Sequence, residues 1–362
     1  MKKNTFIQTL VLLLLVSVVF QACNNKDDET TPTLELPTSY VSAEFAANVT
    51  AETAVRTELG TLTSAINDAE SNAGTTTVSA LTYPSNLKAV TLSSYATKVE
   101  TWLTEIVKAA NSGATFVNPG TGTPTGDGGK LGSRLLDENG LELEQMVKKG
   151  SFGAALYNHA LTVMSGTLTS ASTDKLIEIL GTDITFDPEN VTNAATYVRR
   201  RSDNTNKTGF LYDMRDNLIK AKAAIEGGST FNTERDEALA AFKLNWEKTN
   251  FATVIYYCNA AKTKQQALTT ASTDSDRGSA MHSYAEGVAF AAGWLGITDK
   301  KITDAQINEI LNNLLAPSTG TPTSYKFLND ASLLANLDAT ITLIKGIYGF
   351  TDTEVNGFFT NN

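Results

Sequence analysis

The sequence predicts an all-α protein built of antiparallel helical bundles. Three observations carry that expectation. Apolar residues recur at helical spacing through most of the 362 residues, strand-type alternation is nearly absent, and the helical stretches are joined by short polar turns. No segment repeats at a fixed period, which argues against a helical solenoid.

The first stretch stands apart from that fold. Lys2 and Lys3 precede an almost uninterrupted apolar run, Leu10 to Phe20, followed by Gln21, Ala22 and Cys23. A charged flank, an apolar core and a small residue at the junction make a secretory signal over residues 1–22. The core is shorter than the roughly 20 apolar residues that a membrane-spanning helix needs. The junction resembles the lipobox of bacterial lipoproteins, with Phe20 where leucine is usual and Cys23 as the residue that takes lipid. Residues 23–40 then read as a lipidated polar tether. Asn24, Asn25, Lys26, Asp27, Asp28 and Glu29 lead into a Thr/Pro stretch through Pro37 that has no apolar surface to bury. The Lys-Asp-Asp-Glu run also resembles the surface-export signal of lipoproteins in the Bacteroidota. That implies an outer-membrane anchor with the domain facing the cell exterior, the periplasmic face being the alternative.

Residues 41–362 are left for the helical domain. Ala54, Leu59, Leu62 and Ile66 place a helix over Thr50 to about Glu70. The next has Ser94 as its candidate N-cap, with Tyr95, Val99, Trp102, Leu103 and Ile106 on one face and Gly113 as its stop. The Gly/Pro/Thr-rich segment near 117–132 cannot hold a helix and is either a long loop or the seam between two bundle subdomains. Helix resumes from Leu141 to about Met164. Gly150 and Gly153 within it point to a helix packed close against the backbone, or to a kink. Further helices are expected at Thr173–Leu180, Val191–Arg201, Thr208–Ile225 and Thr233 to about Gln266. The last has a capping-box-like Thr233-x-x-Asp236 and room for a bend near Thr249 to Phe251. Arg277–Leu295, Thr303–Leu315, Ala331–Tyr348 and Thr353–Phe359 complete the series.

Composition narrows the partners. Loss of residues 1–22 removes two of 29 basic residues and leaves 27 against 39 acids, a charge of −12. Such a surface repels phosphate backbones, which excludes nucleic acid as the expected partner. With Cys23 assigned to lipid, Cys258 has no partner within the chain. In Ile255-Tyr256-Tyr257-Cys258-Asn259 it reads as a small buried hydrophobe.

Candidate chemistry is sparse. The two histidines are His159 and His282. His282 and Glu286 are spaced i, i+4 on a helix that is apolar or small nearly all round, so they share one face and are expected to be partly buried. Such a pair shifts each partner's proton affinity and supplies two ligands to a metal ion, with His159 or carboxylates from elsewhere completing the set. The plain alternative is a satisfied polar contact between helices. His159 lies off the main apolar face of its helix, with Lys148, Phe152 and Ala155. Asp274-x-Asp276-x-Gly278 starts like a calcium loop, but its twelfth position is Ala285, so these acids read as helix caps. Tyr212, Asp213 and Arg215 read as a core aromatic beside solvated charge. No H-E-x-x-H or G-x-S-x-G occurs, and Gly120 to Lys130 fails as a phosphate loop because Pro124 and Leu131 occupy two of its fixed positions. No residue is assigned as catalytic.

Arg134-Leu-Leu-Asp-Glu-Asn-Gly-Leu-Glu142, with Gln145-Met-Val-Lys-Lys-Gly150 and Gly153-Ala-Ala-Leu-Tyr157, resembles the central segment of an uncharacterised Bacteroidota lipoprotein family, domain of unknown function 4856. The stretch from Arg235-Asp-Glu through Trp246 to His282-x-x-x-Glu286 is similar to the same family. That family is in turn similar to imelysin-like proteins, helical-bundle envelope proteins linked to iron acquisition and once described as metallopeptidases. Their G-x-H-x-x-E hallmark has its nearest match here in Gly278-x-x-x-His282-x-x-x-Glu286. The resemblance implies an imelysin-like binding domain, with iron or another metal as a candidate ligand. A metal-dependent hydrolase with Glu286 as base, or a structural surface protein without a ligand, are the alternatives.

Overall fold

Each amphipathic stretch folds as a helix, giving an all-α architecture. The computed structural model describes residues 32–362, so the signal segment, Cys23 and the acidic start of the tether lie outside the described residues. After a short helix at Phe45–Asn48 come α1 (Thr50–Asn72), a short helix at Ser85–Val90 and α2 (Ser93–Asn111). A hairpin of β1 (Gly129–Leu131) and β2 (Arg134–Leu136) leads into α3 (Leu143–Ser151), a π-helical segment over Phe152–Tyr157, and α4 (Asn158–Ser165). Next are α5 (Ser170–Leu180), α6 (Asn193–Arg200), the paired β3 (Ser202–Asp203) and β4 (Thr208–Gly209), and α7 (Phe210–Gly227). The chain ends with α8 (Asn232–Gln266), α9 (Asp274–Ala292), α10 (Asp304–Asn313), α11 (Leu334–Tyr348) and α12 (Asp352–Phe358).

Local chemistry sets four of the helix starts. Thr169, Thr273, Thr303 and Thr351 each close a capping box with the residue three places on, namely Ser172, Asp276, Gln306 and Glu354. Two expected caps are not used. Ser94 lies inside the first turn of α2, because the backbone N–H of Leu92 is taken by the carbonyl of Ala154 and the helix begins at Ser93. Thr233-x-x-Asp236 caps nothing: α8 begins at Asn232 after a 3₁₀ turn, and Asp236 pairs with Arg235 instead. Nor does α8 break at Thr249 to Phe251. That stretch is buried, and Asn250 Nδ2 donates to the carbonyl of Phe290 at 3.0 Å.

Residues Leu36–Asn362 form one compact unit. The Gly/Pro/Thr-rich stretch lies within it, tied down where the Phe116 N–H meets the Lys130 carbonyl and the Tyr325 hydroxyl donates to the Gly122 carbonyl. At the centre α8 and α9 run antiparallel. Asn250 meets Phe290, Tyr257 meets Gly287, and Lys264 donates to Ser283, so residue numbers rise on one helix as they fall on the other. Helices α7 and α11 flank α8, and α3 packs on α9. The interior is aromatic: Phe251 stacks on Tyr348, and Tyr157 packs against Trp294 with ring centres 4.3 Å apart. Each fully buried side chain of this kind stabilises the fold by about 1.5–3 kcal/mol.

The close packing expected of Gly150 and Gly153 occurs. The helix widens into a π-helical segment directly after α3, and the C-terminal end of α9 crosses against it. A Cβ at Gly293 would fall on the Gly150 carbonyl, and one at Gly153 would lie 2.7 Å from the Gly293 carbonyl oxygen. Near its start the unit is fastened by one buried carboxylate. Asp174 of α5 accepts from the Tyr40 hydroxyl (2.6 Å), the Ser42 hydroxyl (2.7 Å) and the Asn48 amide (2.7 Å). Cys258 is buried, as its apolar context predicts, and burial pushes its thiol well up. No helix among the described residues is long and apolar enough to cross a membrane.

Candidate functional site

The site is assembled where the β1–β2 hairpin and the start of α3 meet the middle of α9. Gly278, one turn before His282, leaves the space that the Leu131 carbonyl oxygen fills, so the hairpin sits directly on α9. The turn after β2 is held by Asp137, whose carboxylate accepts from the backbone N–H groups of Asn139 (3.0 Å) and Leu141 (2.7 Å). That turn delivers Glu142, fully buried, to His282: Nδ1 and Glu142 Oε2 lie 2.7 Å apart.

From this contact an ionic chain extends in both directions. His282 Nε2 faces Glu286 Oε2 at 3.5 Å, and Glu286 Oε1 faces Lys149 Nζ at 3.3 Å. Lys149 Nζ donates to the Tyr197 hydroxyl at 2.6 Å. On the other side Arg134 Nη1 lies 3.5 Å from Glu142 Oε1. Helices α3, α6 and α9 and the hairpin thus contribute to one run: Arg134, Glu142, His282, Glu286, Lys149, Tyr197. Its outer edge opens into a cleft of about 470 Å³, which Glu70 of α1 and Glu144, Gln145 and Lys148 of α3 also line.

Burial governs the proton affinities. It raises the Glu142 carboxyl to about 7, with Arg134 opposing the rise and Glu286 adding to it. It lowers the His282 imidazole to about 4 against the pull of Glu286. Glu70 is pushed up to about 7 by burial and by its neighbour Glu142. Burial opposes the Lys149 charge, but the Tyr197 oxygen, Glu286 and Glu144 together raise its ammonium above the ordinary value. At neutral pH His282 is therefore an uncharged ring whose tautomer follows its partner. An ionised Glu142 accepts from Nδ1–H, whereas a protonated Glu142 donates to Nδ1 and leaves the ring proton on Nε2, facing Glu286.

The structure brings His282 and Glu286 together, as their spacing predicts, and places His159 elsewhere. His159 Nε2 lies 3.6 Å from Glu52 Oε1, which Lys175 Nζ approaches at 3.4 Å. Burial pushes Glu52 up, but His159 and Lys175 outweigh it and hold the carboxyl below its ordinary range. The three-residue set of His282, Glu286 and His159 is not assembled. Among the described residues no group of three or more His, Cys, Asp or Glu side chains is placed to hold a metal ion. The carboxylates nearest His282 are paired instead with Arg134 and Lys149, so the arrangement does not fit a bare cation. Asp276 completes the capping box of α9, its carboxylate accepting from the backbone N–H of the N-cap Thr273. Tyr212 is buried beneath the Arg215 guanidinium, which pairs with Asp216.

Glu142, Lys149, Arg134, Glu70 and Tyr197 are not singled out by sequence reasoning. Glu142 and His282 are 140 positions apart, and no local spacing links them. Three of the five lie within the Arg134 to Gly150 stretch, where acids and bases crowd an otherwise apolar helix start, and that crowding is the one signal available. Comparison with protein-family models finds none that matches the chain, and searches of curated proteins and of solved structures find no match either.

Proposed function

We propose that this chain is a lipid-anchored binding protein of the cell envelope, attached through Cys23, displayed on the outer membrane, and taking its ligand in the cleft over His282 and Glu286. One observation carries the ligand reading: a run of ionisable groups from Arg134 to Lys149, with Glu142, Glu286 and Lys149 buried, ends in an open cleft and is not sealed in the core. Kinship with imelysin-like proteins belongs to the same reading and rests on the Arg134 to Tyr157 and Arg235 to Glu286 stretches.

The anchor is tested by palmitate labelling: the wild type is labelled and sediments with membranes, and Cys23→Ser does neither. A Cys23→Ser chain that stays on the membrane removes the anchor. For the cleft, melting temperature is followed while iron, zinc and calcium salts and a dialysable extract of growth medium are titrated separately. Stabilisation by the extract that His282→Ala abolishes supports the reading, because a ligand bound only to the folded state must raise its stability. Stabilisation by a metal salt that His282→Ala abolishes would make the ligand a metal ion. Shifts that survive His282→Ala place the site elsewhere.

A further inference from the structure

The cleft carries charge of both signs in a chain whose net charge is −10. Arg134, Lys148 and Lys149 stand on its wall beside Glu70, Glu144 and Glu286. A simple anion entering it meets three carboxylates, and a simple cation meets three bases, so ligands of one sign are opposed from within the site.

The hydrogen-bonding capacity of these groups is only partly used. Among the described residues Arg134 and Lys148 approach their partners Glu142 and Glu144 at 3.5 and 3.4 Å, outside good hydrogen-bond geometry, and donate no other side-chain hydrogen bond. A guanidinium with five N–H groups and a lysine with three are thus free to grip an anion. On the acceptor side Glu144 is engaged, one oxygen accepting from the Gln145 amide N–H and the other facing Lys148, but two neighbouring oxygens are not. Gln145 lines the cleft at 2 % exposure, and its Oε1 has no donor, nor does Glu142 Oε1 behind it. A buried amide oxygen without a donor is uncommon, and a ligand N–H would satisfy it.

Unspent donors and an unpartnered acceptor on one wall, with acids and bases interleaved, describe a receptor for a molecule that carries an anionic group close to an amine. We infer that the cleft binds a small zwitterion of the α-amino-acid or dipeptide type, its carboxylate on Arg134 and Lys148 and its ammonium toward Glu144 and Gln145. This rests on the binding role proposed above. A cleft of about 470 Å³ suits that size of ligand, lying within the range of small-molecule sites.

Isothermal titration of the full-length chain in detergent tests it, with L-alanyl-L-alanine and an amino-acid mixture as probes. N-acetyl-alanyl-alanine and alanyl-alanine amide each lack one charge. The free dipeptide or the mixture binds, and each capped form binds roughly ten-fold more weakly than the free dipeptide or not at all. Lys148→Gln, at a partly exposed position, weakens the free dipeptide without changing the melting temperature, whereas Arg134→Gln weakens it and also lowers the melting temperature, because it removes the cation facing buried Glu142. Glu144→Gln weakens it too, and leaves any residual binding of the N-acetyl form unchanged. Absence of binding by every probe, or equal binding of free and capped forms, overturns the zwitterion. Equal binding that Arg134→Gln abolishes keeps the cleft as a ligand site and discards only the ligand class. Binding that persists in Arg134→Gln, Lys148→Gln and His282→Ala alike removes the cleft itself.

Discussion

At His282 one proton decides which nitrogen is bare. With the Glu142 carboxyl held near 7, the Nδ1 proton gives way to an Nε2 proton as pH falls through neutrality, while the ring stays uncharged. Nitrogen NMR of the His282 ring is expected to show the two tautomers exchanging populations between about pH 6 and 8, and Glu142→Gln to abolish that exchange. A ring that titrates to the imidazolium over the same range would contradict it. Stability follows from the same groups. Glu142, Glu70 and Asp137 are held near 7 in the folded chain, well above their ordinary values, so the folded state binds more protons than the unfolded one below neutrality. Their stabilisation is present in mild acid and is lost as pH rises through 7. His282 runs the other way: its imidazole is held near 4 against 6.5, and the stability it confers is lost as pH falls through that interval. Three carboxyls against one ring leave a net loss of roughly 3 kcal/mol between pH 6 and 8, read from urea midpoints, with a shallower slope in Glu142→Gln. Of this site the sequence discloses the His282 and Glu286 pair, because four residues on a helix is a local distance. Glu142 and Lys149 become neighbours of that pair only through the packing of α3 on α9, which no periodicity encodes.

At the scale of elements, the crossing of the end of α9 on the end of α3, where the π-helical segment begins, is the least forgiving contact. Gly293→Ala puts a methyl group onto the Gly150 carbonyl, backbone against backbone, and is expected to cost about 2–3 kcal/mol, seen as a lower urea midpoint with an unchanged slope. Gly346→Ala, with open space around its Cβ position on α11, is the matched control and is expected to be neutral or slightly stabilising. A Gly293→Ala chain as stable as wild type would show that the two backbones separate freely. Helices such as α1 and α2 were legible because each buries one face, and helix starts were legible where Thr and an acid or amide stand three apart, as at Thr273 and Thr303. The hairpin of β1 and β2 was not, since strands of three residues are too short to display alternation. Nor was the uninterrupted course of α8, where burial overrides the weak helix preference of Thr249, Asn250 and Phe251.

For the molecule as a whole, two features bear on how it is held. Cys258 is buried and its thiol is pushed up, so the folded chain with lipid on Cys23 is expected to react with no thiol reagent, and the urea-unfolded chain with one equivalent. Two equivalents on unfolding would show that Cys23 carries no lipid. The other feature is the carboxylate of Asp174, whose loss in Asp174→Ala is expected to cost roughly 2–4 kcal/mol and to expose the segment from Leu36 to Asn48 to proteases before the rest unfolds. Tyr40, Ser42 and Asn48 grip that one group. Tension arriving along the chain ahead of Tyr40 meets the Tyr40 bond first and those of Ser42 and Asn48 behind it, and is passed into α5. The strap bears the drag, and the aromatic interior behind it is spared.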